Sequence, residues 1–177
     1  MRKKLYALMV CAIMLCVNVM PVCAEAKNDV VRAEMVRVEN AFIIQDNVDE
    51  LLSINPNARG ENKPSSTWNI ADSGQYNYTF SLYPFNVCYS SYYFTGVSEA
   101  IMYINAACNV EDSANYGVEI YEKGTIVDTL IEDFNYYTDT DSNYQIRITN
   151  MNPNKKYYFK IVNVGNSISG SGYFREA

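Results

Sequence analysis

The 177-residue chain has no histidine. That removes every mechanism built on an imidazole: Ser-His-Asp triads, Cys-His dyads and His-ligated zinc. No Walker loop, G-x-S-x-G, H-E-x-x-H or C-x-x-C occurs either. Bases are scarce, 14 Lys+Arg against 20 Asp+Glu, and three of them are Arg2, Lys3 and Lys4. Setting residues 1–24 aside leaves 11 bases against 20 acids, a net charge of −9. Such a chain has no electrostatic attraction for nucleic acid or an anionic membrane surface. Of five cysteines only Cys88 and Cys108 remain after position 24, and no second long apolar run follows the first.

What is present begins with an export signal. MRKK is a basic n-region, LYALMVCAIMLCV (5–17) an apolar h-region, and MPVCA supplies small residues for a signal peptidase. Cleavage is expected after Ala24, with a site after Ala26 as the alternative. The apolar run is short of the roughly 20 residues that span a bilayer. A lipoprotein would need a small residue just before Cys23, where Val22 stands. The expected product is a secreted, extracellular bacterial protein with no membrane insertion after cleavage.

The remainder divides near residue 63. Over 25–63 the only aromatic is Phe42, whereas 64–177 holds every tyrosine except Tyr6. Val31, Met35, Val38 and Phe42 recur at helical spacing, which predicts a short amphipathic helix over 28–42. NPNARGENKPSS (55–66) is loop composition. A flexible leader, a helix packed on the domain and a removable pro-segment all fit 25–63.

From Thr67 the period becomes two. YNYTFSLY (76–83), EAIMYINA (99–106), GVEIYEK (117–123) and NYQIRIT (143–149) each alternate apolar with polar. Alternation predicts strands with one face in a core and one in water. YYFKIVNV (157–164) is apolar nearly throughout and predicts a central strand. Asn152-Pro153-Asn154-Lys155 before it predicts a turn, because proline presets the backbone of the second turn position. Lys123-Gly124 predicts a tight hairpin. The expected fold is all-β: an antiparallel, jelly-roll-like β-sandwich over 64–177, preceded by a leader with one short helix.

YGVEIYEKGTIVDTL, MNPNKKYYFKIVNV and GSGYF together carry a resemblance. They are similar to the second half of the bacterial pre-peptidase C-terminal domain, in its Val-x-Ile/Leu-Tyr strand, its turn into Tyr-Tyr-x-x-Val and its closing Gly-x-Gly-Tyr strand. The matching positions are Val118–Tyr121, Tyr157–Val162 and Gly170–Phe174, within a likeness covering about residues 75–174. The chain also resembles small secreted proteins of Firmicutes with one such sandwich. It departs from the family in lacking the acidic entry to the first strand and any attached peptidase. The resemblance implies a jelly-roll-like sandwich with an accessory or binding role, and brings no catalytic residues.

Cys88 and Cys108 are symmetric about position 98. A hairpin of 88–95 with 101–108 would pair Phe94 with Met102, Tyr93 with Tyr103 and Cys88 with Cys108. Cysteines opposed in that way can bridge, adding about 3 kcal/mol on the chain-entropy model. Two reduced, buried thiols are the alternative.

Tyr92-Tyr93, Tyr136-Tyr137 and Tyr157-Tyr158 are adjacent pairs, and neighbours in a strand point to opposite faces. Tyr93, Tyr103, Tyr137 and Tyr157 are therefore the candidate ligand-binding residues of an exposed aromatic platform, since flat rings stack on sugars and anchor interfaces. The competing reading is that tyrosine simply suits the outer face of a sheet.

Asp139-Thr140-Asp141-Ser142-Asn143 opens like a calcium loop, but Tyr144 stands where such a loop needs glycine and Asn150 where it needs glutamate. A weak calcium site at Asp139 and Asp141 is the residue of that motif; an Asx-rich turn explains it better, so no metal or cofactor is assigned. Glu111/Asp112 and Glu132/Asp133 are the acid pairs open to acid–base work, and both read as solvated loop acids. The reading is a secreted, non-catalytic β-sandwich that binds extracellular polysaccharide or protein. Self-association through sheet edges is the alternative, and a carboxylate-based hydrolase the remaining one.

Overall fold

The computed structural model describes residues 30–37, 62–108, 114–138 and 143–177. The export signal and its cleavage site, Glu111/Asp112, and Asp139 and Asp141 lie outside the described residues. The rest is an all-β sandwich. Its strands are β1 (Arg32–Arg37), β2 (Ser66–Asn69), β3 (Tyr76–Leu82), β4 (Val87–Tyr89), β5 (Tyr92–Thr95), β6 (Ala100–Cys108), β7 (Ala114–Glu122), β8 (Thr129–Thr138), β9 (Asn143–Thr149), β10 (Tyr157–Asn163) and β11 (Ile168–Glu176). One four-residue helix, α1 (Ile70–Ser73), follows β2. The first sheet runs β1-β9-β6-β11-β3, and the second β2-β5-β10-β7-β8 with β4 also on β10. All pairs are antiparallel except β2 with β5.

Alternation places the core as expected. Ala100, Met102, Ile104 and Ala106 of β6, Val118 and Ile120 of β7, and Ile146 and Ile148 of β9 are all buried in one core between the two sheets. β10 is the central strand of the second sheet, which explains why it is apolar almost throughout. Its Phe159 packs with Phe94, whose ring stacks on Phe174 at 4.3 Å between centroids. Tyr78 lies 4.8 Å from Phe159. The inner faces thus meet through an aromatic seam.

Two local expectations are corrected. Residues 32–37 are a strand, not part of a helix, and pair with β9 from Arg32↔Thr149 to Arg37↔Tyr144. The Val31–Met35 spacing of four suits a helix, but four is also an even number. Val31, Ala33 and Met35 therefore share one strand face, and Ala33 is buried on it. Val38 and Phe42 lie outside the described residues. The segment before residue 64 thus contributes an edge strand to the domain.

The second correction concerns the hairpin. β5 pairs with β2 and β10, whereas β6 pairs with β9 and β11. Residues 96–99 carry the chain from one sheet to the other. Gly96, at φ 91°, makes the crossing, and an added Cβ there would lie 1.9 Å from Asn69 Oδ1. Phe94 and Met102 are both buried in the core but belong to opposite sheets. In-and-out parity is the same for a hairpin and for an arch, so periodicity alone does not separate them. Cys88 in β4 and Cys108 in β6 consequently sit in different sheets and are thiols, without a disulfide.

The Asn152–Lys155 turn forms as expected, with Lys155 N–H donating to Asn152 O at 2.9 Å. β7 and β8 do form a hairpin, through residues 123–128, and it is longer than the tight turn expected from Lys123-Gly124.

Candidate functional site

The adjacent tyrosines behave as the pleat requires. Tyr136 and Tyr157 are buried inside, while Tyr93, Tyr137 and Tyr158 project outward. Tyr157 is therefore the inward member of its pair, 1% exposed, and this corrects the expectation that it faces solvent. Tyr93 and Tyr103 are not opposite each other: they lie on the outer faces of different sheets. Tyr137 projects alone from edge strand β8, 63% exposed. The four residues do not form one platform.

Outward is also not the same as exposed. On the second sheet Tyr93 is 5% and Tyr158 2% exposed. Lys123 Nζ sits 4.5 Å above the Tyr93 ring, with Lys156 Nζ at 5.7 Å and Lys63 Nζ 5.9 Å above Tyr158. Tyr121 stacks on Tyr158 at 5.0 Å and Tyr93 meets it edge-on at 5.7 Å. The Tyr158 hydroxyl donates to Asp128 at 2.7 Å, and Asp128 also takes a 2.6 Å ion pair from Lys63. Glu119 accepts from Tyr121 and pairs with Lys160 at 2.9 Å. The face is a closed Tyr–Lys–carboxylate layer. It covers the sheet rather than offering rings to a ligand.

Hydrogen bonds from Lys63, Tyr158 and the Gly124 N–H hold the Asp128 carboxyl below the usual carboxylate range. Burial first, and then the Asp128 carboxylate, push the Tyr158 hydroxyl well above its ordinary value. Burial does the same to Tyr76, Tyr78, Tyr116 and Tyr136. A raised folded pKa favours the protonated form, so this stabilisation is fully present below about pH 10 and is lost as pH rises beyond it. Phenolate absorbance from these five rings is expected to develop together with an unfolding step in alkaline solution. Phenolate formation from them at constant circular dichroism would contradict the packing described.

On the first sheet, Tyr103 and Tyr173 are cross-strand neighbours stacked at 5.2 Å and 13°. The Tyr103 hydroxyl donates to Asn143 Oδ1 at 2.6 Å, and the Arg175 guanidinium lies 5.5 Å from the Tyr173 ring. Each ring spends a face on the other, the arrangement of a sheet-stabilising pair. Asn143 Oδ1 also accepts from Asn105. Its side-chain oxygen, the last donor of the calcium-like motif, is thus turned into the sheet. Among the described residues no group of three or more His, Cys, Asp or Glu is placed to hold a metal ion. Glu132 and Asp133 are exposed neighbours on β8 and point to opposite sides of the strand.

A cleft of about 430 Å³ opens elsewhere, at the end of the sandwich. Its walls come from four separate segments: Val31 before β1, Ser98 in the crossing turn, Glu122 at the end of β7, and the β9–β10 connection with Asn150, Met151, Asn152, Lys155 and Tyr157. Asn150 adopts φ 59°, a left-handed conformation asparagine tolerates, and its Nδ2 donates to Val30 O at 3.2 Å. Met151 N–H donates to Ser98 O at 2.9 Å. Those two bonds tie the connection to both neighbouring walls. At the floor, the Tyr157 hydroxyl accepts from Asn152 N–H at 2.9 Å and donates to Glu122 Oε2 at 3.3 Å. Lys155 pairs with the other Glu122 oxygen.

Burial pushes the Tyr157 hydroxyl upward, opposed by the Asn152 N–H and reinforced by Glu122. The phenol therefore stays a hydrogen-bond donor at neutral pH. The cleft presents amides, a hydroxyl, one carboxylate and one ammonium, already arranged in a network. Of this site the sequence reading held only Tyr157, assigned for its ring, whereas it is the hydroxyl that reaches the cleft. The signal available was the Asn-rich turn over 150–154, next to a strand end. No family model matches the chain, and neither does any curated protein or solved structure.

Proposed function

We propose that this is a secreted, non-catalytic β-sandwich protein that binds an extracellular polysaccharide in the cleft between its end loops. One observation carries the reading: Ser98, Glu122, Asn150, Asn152 and Lys155 converge on a single open cleft. Amides, hydroxyls and a charge-paired carboxylate are the groups that hydrogen-bond sugar hydroxyls. Sandwich folds commonly place binding on loops at one end, held by a rigid scaffold. The signal-like N-terminus supports an extracellular setting, and the likeness to pre-peptidase C-terminal domains supports an accessory role. A two-carboxylate hydrolase needs a second acid facing the first, and Glu122 is the one acid lining the cleft among the described residues.

Binding to neutral glycans is expected to weaken about tenfold on Glu122→Gln, which replaces the carboxylate held by Lys155 and Tyr157 with a neutral amide, and on Asn150→Gly, which removes a side-chain amide from the cleft. Glycine preserves the left-handed backbone at position 150. Tyr103→Ala is expected to leave binding unchanged. Glycan-array signals lost on Tyr103→Ala but retained in both cleft variants would move the site to the sheet face.

A further inference from the structure

We propose that β3 pairs edge to edge with the β3 of a second copy of this chain, across a two-fold axis through Thr79. The proposal goes beyond the cleft and does not depend on it.

Two independent observations carry it. The first is the distribution of charge. From Ser73 to Ser98 the chain has no Asp, Glu, Lys or Arg. That stretch supplies β3, β4 and β5, and β2 beside them is also uncharged, so the strands at this side of the sandwich carry no charged residue of their own. The opposite side is guarded. There β1 carries Arg32 and Glu34, and β8 carries Glu132 and Asp133. Exposed edges are normally blunted by charge, proline or a bulge. Among the described residues β3 is a terminal strand of its sheet, pairs with β11 only, and shows none of these. The outward residues of β3, Asn77, Thr79 and Ser81, are small and uncharged and match themselves in an antiparallel register. A second copy therefore completes this edge with no like-charge pair across the contact.

The second observation is Phe85. Tyr83-Pro84-Phe85-Asn86 forms a turn closed by Asn86 N–H to Tyr83 O at 3.2 Å, with Pro84 second and Phe85 third at φ 63°. Such a turn calls for glycine or asparagine at the third position. A phenylalanine there is strained, and its ring is 80% exposed, beside an exposed Tyr83. Among the described residues no packing of the Phe85 ring offsets that strain. It follows β3 directly, at the border of the proposed contact.

Full antiparallel overlap of Tyr76–Leu82 with itself sets the register. Thr79 faces Thr79, and Asn77 faces Ser81 of the other copy. The outward pairs are small and uncharged, and the symmetric contact closes as a dimer.

The test is sedimentation velocity on the mature chain over a range of concentrations, with oxidative cross-linking of two single variants. Wild type is expected to dimerise reversibly. Thr79→Cys is expected to give covalent dimers on mild oxidation and Ser81→Cys to give few, since only position 79 meets itself. Ser81→Lys, on an exposed outward position, is expected to raise the dimer dissociation constant at least about tenfold. Phe85→Gly is expected to weaken the dimer while raising monomer stability, because it removes the ring and the strain together. A wild-type chain that stays monomeric throughout would overturn the proposal. So would a dimer indifferent to Ser81→Lys, or equal cross-linking of both cysteine variants. Glu122→Gln is expected to leave the dimer intact, which separates this outcome from the fate of the cleft.

Discussion

Gly172→Ala is expected to lower stability by about 3 kcal/mol, through overpacking and the loss of a buried hydrogen bond. Gly170 and Gly172 lie on the inner face of β11, between Ile168 and Phe174, where the alternation would otherwise place apolar side chains. Their absence makes room for two rings from β3. Tyr78 lies over Gly172 and Phe80 over Gly170, and the Tyr78 hydroxyl donates to the Tyr103 carbonyl at 2.9 Å. A Cβ on Gly172 would fall 2.0 Å from that carbonyl oxygen and 2.5 Å from the hydroxyl. The carbonyl belongs to central strand β6, so the ladder cannot yield. Relief requires β11 to move off β6 and Tyr78 to give up its place in the core. Gly117→Ala is the matched control, because its Cβ would meet nothing closer than 3.4 Å. Urea denaturation checks both: a lower midpoint at unchanged slope for Gly172→Ala, and little change for Gly117→Ala. Equal stability of the two variants would show that the rings do not rest on β11.

Asn163→Ala is expected to cost a comparable amount, about 3 kcal/mol, because it strands several buried groups at once. Asn163 ends β10 and is fully buried. Its Nδ2 donates towards the carbonyls of Leu82, Tyr83 and Asn166, at 3.3, 3.0 and 2.9 Å, and its Oδ1 accepts from Gly165 N–H at 3.0 Å. Its own N–H donates to Asn86 O. One amide thus joins the end of β10 to the end of β3 and holds the connection into β11. Asn163→Asp separates this role from mere volume. A carboxylate there has no donor for the three carbonyls and is buried, so its acid is held above the usual range. The Asp variant is therefore expected to be most stable in acid and to lose stability as pH rises through the usual carboxylate range and beyond. Urea midpoints of the Asp and Ala variants across that range check the sign. A parallel response of both would contradict the network.

Much of this architecture was legible because an outward–inward alternation is a local property. The inner residues of β3, β6, β7 and β9 follow from parity alone, and the central position of β10 from its being apolar on both faces. What parity does not encode is the partner of each strand. Phe94 and Met102 look alike whether they lie side by side in one sheet or face each other across two, so the crossing at Gly96 was read as a hairpin. The spacing of Val31 and Met35 fits both periods, and only the exposed β9 edge decides between them. The tyrosine pairs show the same limit. Each sends one ring inward, but which one depends on a strand's phase against its neighbours, and burial of the outward ring depends on Lys63, Lys123 and Lys156 arriving from elsewhere. The cleft was beyond reach for a related reason. Its walls come from positions 31, 98, 122 and 150–157, which only the assembled sandwich brings together.

The contrast between the closed tyrosine layer and the open cleft makes the functional account specific. Rings that spend their faces on each other or under lysine ammonium groups do not stack on sugar. The exposed rings that remain, Tyr83, Phe85 and Tyr137, line no cleft, whereas the polar groups at the loop end converge on one. The most direct measurement is a residue-resolved nuclear magnetic resonance titration of the protein with neutral glucan, xylan and chitin oligomers. The account predicts saturable amide shifts for at least one of them, confined to Ser98, Glu122, Asn150–Asn152 and Lys155, with saturation moved to about tenfold higher ligand concentration by Glu122→Gln. Shifts centred on Tyr103 and Tyr173, or none with any of the three, would contradict it.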